Sequence, residues 1–305
     1  MKAIQYNSFG KSDVLELVQV DKPGIKENEV LIKVRATTIN PLDMKIRSGY
    51  MQKIMPVQFP YIPGLDVSGI VAATGNKVTS IKVGDEVLAS PSAAGSYAEY
   101  VVANEDKVVS KPANISFNEA AAFIIPFATS YAVLIEAGKI QAGQKVLIHG
   151  ASGAVGSMMV QVAKALGAYV IGTGSDVARI IELGADEAID YKTQDFTTLV
   201  KEVDLVADLA GGEAQTKSFE VLKKGGKLLS IVMPPSAELA EKFKVEAQFV
   251  SSNSSHKILA FGLQLLEEGK IKTVISKVMK LEQAAQAQDV VSAGGVNGKV
   301  ILEVN

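Results

Sequence analysis

The sequence predicts an α/β chain in which a strand-rich domain is joined to a doubly wound parallel-sheet domain. Three observations carry that expectation. Residues 145–156, KVLIHGASGAVG, pass from an apolar strand through a glycine-rich turn into the start of a helix. From Lys145 onward, strand-like and helix-like segments alternate. Before residue 120, short β-branched stretches follow one another between Gly and Pro turn signals.

Each element can be justified in turn. LIKVRATTI (31–39), VSGIVAAT (67–74), DEVLAS (85–90) and AEYVVAN (98–104) are apolar or alternating. With turns at Lys22-Pro23-Gly24, Gly75-Asn76 and Val83-Gly84-Asp85, they predict a compact barrel-like β domain. Residues 119–138 read as helix, with Pro126 breaking or bending it. YVIGT (169–173), EAID (187–190), DLVADLA (204–210) and GGKLLSIV (225–232) read as strands. Between them, 153–167, 177–184, 195–202 and 213–224 have helical character. The tail predicts helices over 256–270 and 280–294 and a last strand at 298–304. There is no internal repeat and no low-complexity segment.

Composition sets the class. At 305 residues the chain is long enough for two domains and a substantial core. Apolar residues make up 48% of it, yet no window is expected to reach the length of a bilayer span. The start, MKAIQYNSFG, is strand-like and lacks the apolar centre of a secretory signal. The absence of cysteine excludes disulfides and suits a reducing compartment. The net charge is −2, with acids and bases interspersed, so neither a nucleic-acid partner nor a membrane surface is indicated. The expectation is a cytoplasmic, soluble protein.

The glycine turn points to a cofactor. A helix N-terminus offers unpaired N–H groups and partial positive charge. Ser152, Gly153, Ala154, Val155 and Gly156 keep side chains small there, so a diphosphate can come close. Gly153 permits the approach, and Gly156 lets the helix pack tightly on the strand. Ala151 replaces the usual first glycine of G-x-G-x-x-G, and any βα turn favours glycine. The flanking strand, helix and alternation are what point to a dinucleotide. NAD-binding domains place an acid at the end of the next strand. Here that strand runs into Gly174-Ser175, so a 2′-phosphate would meet no carboxylate. Ser175 can donate a hydrogen bond and Arg179 can supply charge. One charge-assisted contact is worth about 1.5–3 kcal/mol, enough to select NADPH. Asp176 would weaken such a site if it pointed inward.

Six pieces in order now carry a resemblance: ATTINPLDMKIRSG (36–49), 59–87 from FPYIPGLDVSG to VGDEV, GSYAEYVV (95–102), GASGAVG with VQVAKALGA (150–168), LGADEAIDY (183–191) and GKVIL (298–302). Together they resemble the zinc-free, zeta-crystallin-like quinone oxidoreductases of the medium-chain dehydrogenase/reductase superfamily. The resemblance covers nearly the whole chain. It implies a GroES-like catalytic domain from 1–120 and 254–305 and a Rossmann NADP-binding domain from 121–253. It also implies a cofactor cleft where the two meet, and a homodimer. By position, Ser152–Gly156 would hold the diphosphate, and Ser175, Arg179 and Tyr191, beside Gly174, the 2′-phosphate. Thr129 and Asn40 would lie near the nicotinamide. Leu209, Val232 and Phe249 would line the cofactor path, although ordinary core packing is equally open for these. Zinc-dependent relatives carry a Cys in the segment matching 40–43 and a His-Glu pair matching Leu65-Asp66. This chain keeps only the carboxylate of Asp66, and His149 and His256 lie far apart, so no metal site is expected.

Without a metal, hydride must go to an acceptor that takes it readily: a quinone or an α,β-unsaturated carbonyl. Asn40 could donate to the acceptor oxygen or the carboxamide. Asp43 could orient Asn40 or Lys45, or serve as a cap. Tyr50 and Tyr61 flank the loop YMQKIMPVQFPY, where Tyr50 could donate a proton and Tyr61 favours packing. Met51 and Met55 would give an adaptable apolar wall. NADPH-dependent quinone reduction is the leading expectation. Enone reduction, a low-turnover NADPH-binding sensor or stock protein, and a metal-dependent alcohol dehydrogenase are the alternatives.

Overall fold

The computed structural model describes all 305 residues. In chain order the elements are β1 (Lys2–Gln5), β2 (Glu16–Gln19), β3 (Glu29–Thr38), α1 (Pro41–Arg47), β4 (Val67–Thr74), β5 (Glu86–Ala89), β6 (Tyr100–Asn104), β7 (Val108–Ser110) and α2 (Phe117–Tyr131). Then come β8 (Lys145–His149), α3 (Ala154–Ala165), β9 (Tyr169–Gly174), α4 (Val177–Glu182), β10 (Glu187–Asp190), α5 (Phe196–Leu199), β11 (Val203–Asp208), α6 (Gly212–Ser218), β12 (Leu222–Ser230), α7 (Ala237–Phe243) and β13 (Glu246–Phe249). The chain closes with α8 (His256–Glu267), β14 (Ile275–Lys280), α9 (Ala284–Ser292) and β15 (Lys299–Glu303).

These elements fold as two compact units. One comprises Met1–Ile124, Ser254–Ala260 and Ile275–Asn305; the other comprises Ile125–Asn253 and Phe261–Val274. In the first, β3 is the hub. It pairs antiparallel with β4, β6 and β15, within a sheet running β14-β15-β3-β4-β5-β7. Alternation along β3 turns Val30, Ile32 and Val34 into a core shared with Val67, Val71, Val87 and Leu302. This is the GroES-like β-rich unit.

The second unit is a doubly wound sheet. Its order is β10-β9-β8-β11-β12-β13, with every neighbouring pair parallel. Leu147, Ile171, Val206, Phe219 and Leu228 fill its core. The order steps outward from β8 to β9 on one side and from β8 to β11 on the other. That reversal is the place where open α/β sheets bind ligands, beyond the carboxyl ends of the strands.

Several elements differ from the sequence expectation, and β2, β7, α1 and α7 have no counterpart in it. The segment 213–224 is not one helix, because α6 ends at Ser218 and Leu222 already opens β12. The segment 195–202 keeps only one helical turn, Phe196–Leu199, before Glu202 takes a φ of 54°. β13 and β14 were not foreseen. Each is the outermost strand of its sheet, with a largely exposed face, so neither shows the apolar run of a buried strand.

The helix from Phe117 runs through Pro126 rather than breaking there, and continues as a π turn over Ala132–Ala137. Ser130 Oγ donates to Pro126 O at 2.8 Å. The expectation that no window reaches a bilayer length is corrected by this helix. Phe117–Ala137 is 21 residues and apolar enough, but 72% of its apolar window is buried in the fold, as in a core helix.

Candidate functional site

The site residues of the second unit gather at the carboxyl edge of its sheet. β8 ends at His149, and Gly150 turns the chain with φ +68°. α3 then begins at Ala154 behind Gly153, which brings no capping side chain. Helix geometry leaves the N–H groups of Ala154, Val155 and Gly156 without intrahelical acceptors. A Cβ on Gly156 would sit 2.1 Å from Gly150 O and 2.6 Å from Ala151 Cα, so only glycine lets α3 lie this close to the turn. At Gly153 the nearest atom to such a Cβ is Gly150 O at 3.4 Å, which leaves the outer side open. A side chain at Gly174 would come within 2.8 Å of Ser152 Oγ. Bare amides, a helix dipole and an open approach fit the diphosphate of a dinucleotide.

The neighbouring strand ends complete that edge. Gly174 and Asp190 are register partners, so Ser175 and Tyr191 leave adjacent strand ends side by side, and both are exposed. Arg179 lies in the first turn of α4, with its Nε 3.7 Å from Glu182. The Asp176 carboxylate caps α4 by accepting the Arg179 N–H at 3.0 Å, which accounts for the acid beside the expected phosphate position. On the other side of β8, Asp208, Ser230 and Phe249 share one register level at the ends of β11, β12 and β13. Leu209 and Val232 follow in the loops beyond. A Cβ at Gly150 would lie 3.5 Å from Leu209 Cβ, and one at Gly211 would lie 3.2 Å from Val232 Cγ1, so these turns touch in sequence. Thr129, buried in α2, bonds Ser252 Oγ at 3.4 Å.

His149 is structural. Its Nδ1 lies 2.9 Å from Thr173 Oγ1 and its Nε2 2.8 Å from Ser218 Oγ. Ser218 already donates to Ala214 O, so Nε2 carries the proton and Nδ1 accepts, an assignment made from the hydrogen-bond network. Burial pushes its pKa down to about 4, so the ring is neutral. His256, the first residue of α8, uses Nδ1 on Val108 O at 2.8 Å.

The site residues of the first unit form a buried polar network. Pro41 opens α1 behind Asn40, and Asp43 reaches back to accept the Asn40 N–H at 2.9 Å, one half of a capping box. The Asn40 side chain does not close the other half. Its Nδ2 donates to Asp66 Oδ2 at 2.9 Å and more weakly to Thr38, while its Oδ1 accepts from Lys299 Nζ. Asp66 is fully buried and also accepts from Thr38 N at 2.8 Å and Thr38 Oγ1 at 2.6 Å. Lys299, 4% exposed, stands 3.8 Å from Asp66 Oδ2.

Asp43 receives Tyr97 OH at 3.2 Å and Gly64 N at 3.3 Å. Burial first, then the Asp66 charge, pushes the Asp43 carboxyl up to about 7. Burial lowers the Lys299 ammonium and raises the Tyr97 phenol. The structure thus brings Asn40 and Asp43 together, with Asp43 orienting Asn40 through its backbone, and occupies the Asn40 amide internally. Tyr50 stands apart from this network on the turn after α1, 78% exposed. Burial pushes the Tyr61 phenol up to about 12. Asp66, Tyr97 and Lys299 were not singled out as site residues. A lone lysine heading the apolar run VILEV was the available signal for the last.

Comparison with known proteins decides the family. The alcohol dehydrogenase GroES-like domain model matches residues 26–113, and the zinc-binding dehydrogenase model matches 183–302. The chain is 35% identical to the quinone oxidoreductase of Sus scrofa, over 99% of this chain and 97% of that protein. The chain belongs to the quinone oxidoreductase family. It is therefore an oxidoreductase of the medium-chain dehydrogenase/reductase superfamily, with a nicotinamide cofactor. The quinone-oxidoreductase homolog, chloroplastic, of Spinacia oleracea is 34% identical over 99% of this chain and 98% of that one. The quinone oxidoreductase structure from Coxiella burnetii superposes with a TM-score of 0.92 at 32% identity, covering 100% of this chain and 99% of that one. Escherichia coli quinone oxidoreductase complexed with NADPH gives 0.90 at 27%, covering all of both chains.

Proposed function

We propose that this oxidoreductase reduces quinones with NADPH as the hydride donor and without a catalytic metal. The observation that carries the reading is the glycine turn at Gly150–Gly156, whose amides at the start of α3 lack intrahelical acceptors, set at the switch point of a parallel sheet. NADPH rather than NADH is favoured by Ser175 and Tyr191 at the ends of β9 and β10 and by Arg179 on α4, with Asp176 committed to the cap of α4. Metal independence is supported by the donors. The chain has no cysteine, both histidines are bonded within the fold, and no group of three or more His, Asp or Glu side chains forms. A quinone suits such a site because it accepts hydride without Lewis-acid polarisation. One hydride and one solvent-derived proton convert it to the hydroquinone as NADPH becomes NADP⁺.

In this reading Ser152, Gly153, Ala154, Val155 and Gly156 bind the diphosphate, and Thr129, Leu209, Val232 and Phe249 the nicotinamide half. Asn40 and Asp43 organise the acceptor side, and Tyr50 meets the acceptor with an exposed phenol. We also infer a cytoplasmic homodimer. The cysteine-free composition suits a reducing compartment, and β13 leaves one edge of the sheet unpaired. Light scattering on the purified chain reads the second point.

The deciding experiment follows NADPH oxidation with 1,4-quinones, 2-alkenals and simple aldehydes, alongside elemental analysis. Turnover confined to quinones by metal-free protein is expected. Preference for 2-alkenals would reassign the acceptor, NADPH binding without any turnover would make the chain a binding protein, and bound zinc with alcohol oxidation would overturn the reading.

A further inference from the structure

Asp208 closes β11 with no solvent exposure and receives four hydrogen bonds, none from a charged group. Oδ1 accepts from Ala210 N at 3.0 Å and Gly211 N at 2.7 Å. Oδ2 accepts from Gln215 Nε2 at 2.9 Å and Ser230 Oγ at 2.7 Å. The two side-chain partners carry the connection onward. Ser230 Oγ accepts from Val232 N at 3.2 Å and Met233 N at 3.4 Å, and Gln215 Nε2 also donates to Met233 O at 3.1 Å. Asp208 O takes Ile231 N at 3.2 Å. One buried carboxylate therefore ties the loop after β11, the first turns of α6 and the loop after β12 into a single unit.

A carboxylate is a costly group to bury, and an apolar residue would have continued the β11 core at lower cost. What the carboxylate adds is fixed geometry in a backbone that would otherwise be loose. Gly211 and Gly212 are consecutive glycines with φ of +74° and +59°, conformations that the chain adopts only with a large loss of freedom. Oδ1, facing the Ala210 and Gly211 amides, holds the chain as it enters that pair, much as a carboxylate holds the open end of a helix. The second oxygen sets the distance to the Val232 loop.

We propose that Asp208 is a positioning residue that preorganises the Leu209–Gly211 and Val232–Met233 loops as one wall for the nicotinamide half of the cofactor. The inference rests on the reading of the second unit as an NADPH site. It assigns no role to Asp208 in the half of the edge formed by β9 and β10, where the 2′-phosphate group would lie.

That asymmetry makes the test specific. Asp208→Asn replaces one acceptor oxygen with a donor facing Ser230 and Gln215, and Ser230→Ala removes one arm alone. NADPH affinity, read by nicotinamide fluorescence on titration, is expected to fall about tenfold in Asp208→Asn, which removes the charge all four donors face, and about threefold in Ser230→Ala, which removes one of those donors. Affinity for adenosine 2′,5′-bisphosphate, which lacks the nicotinamide half, should stay within twofold. Amide exchange at 210, 211, 232 and 233 should quicken in both variants. Loss of affinity for both ligands in proportion would show general destabilisation and overturn the assignment. NADPH binding unchanged in a folded Asp208→Asn protein would overturn it too. If Asp208→Asn does not fold, Ser230→Ala carries the same comparison. Wild-type protein that binds adenosine 2′,5′-bisphosphate but not NADPH would remove the inference while sparing the phosphate site. Failure to bind either would sink the cofactor reading itself.

Discussion

The two units build their polar sites by opposite means. The cofactor edge of the second unit works with dipoles: amides without intrahelical acceptors at the start of α3, and Asp208 held entirely by neutral donors. The site of the first unit concentrates ionisable groups, with Asp43, Asp66 and Lys299 buried around the Asn40 amide. A dipole site depends on the exact placement of its backbone. A buried charge cluster is strong only while its members balance. Substitutions in the two regions should therefore fail differently: in the second unit through shape and ligand affinity, in the first through charge and pH.

The sharpest break is Gly156→Val. Its Cβ would collide with Gly150 O, so α3 must move away from the diphosphate position. NADPH affinity should drop ~100-fold or more, the scale of losing about two charge-assisted hydrogen bonds to the diphosphate. Fluorescence titration reads it, and retained affinity would show that the turn does not hold the diphosphate. Second in size is Lys299→Met. It leaves Asp66 buried without its cation, which costs about 3–5 kcal/mol when one member of such a pair is removed. Urea unfolding measures that loss. NADPH affinity should not change in the residual folded protein, in contrast with Gly156→Val.

These two variants also mark how much was legible in the sequence. The glycine turn, its strand and helix, and the alternation that builds the sheet are local patterns, so the second unit could be read from consecutive residues. The outer strands β13 and β14 could not, because their exposed faces lack the apolar signal that identifies an inner strand. In the first unit Asn40 and Asp43 are three residues apart and their relation could be suspected. Lys299 reaches Asn40 across a separation of 259 residues, which only the antiparallel pairing of β15 with β3 makes short. Asp208 was hidden for another reason. A carboxylate at a strand end reads as a surface turn, until the fold shows both of its oxygens buried among donors.

The next effect is pH dependence in the first unit. The Asp43 carboxyl is raised from 3.8 to about 7 in the folded protein. Between those values the folded state keeps a proton that the unfolded chain has lost. Stability is therefore greatest below pH 4 as far as this group is concerned, falls as pH rises toward 7, and is level beyond. The slope is about 1.4 kcal/mol for each pH unit of that window at most. Asp43→Asn removes the ionisation, so the difference between wild type and variant, from denaturation at pH 5 and pH 7, should narrow or reverse as pH rises. Parallel pH profiles would show that Asp43 titrates normally.

The smallest effect belongs to the rim of the second unit, where a charge meets a ligand from solvent. Arg179 sits in the first turn of α4, about one-third exposed, with Glu182 as a loose neighbour. A 2′-phosphate beside Ser175 and Tyr191 would outcompete that neighbour, because its charge is larger. Arg179→Ala should weaken NADPH about tenfold, a loss of ~1.4 kcal/mol that partial exposure keeps at the low end for a charged hydrogen bond. NADH affinity should be unchanged, since NADH has no 2′-phosphate to lose. The weakening should shrink at 0.5 M salt, because screening acts on an exposed pair and leaves the amides at α3 untouched. An equal loss for NADPH and NADH would mean that Arg179 supports α4 rather than the phosphate, and the preference between the two cofactors would then rest on Ser175 and Tyr191 alone.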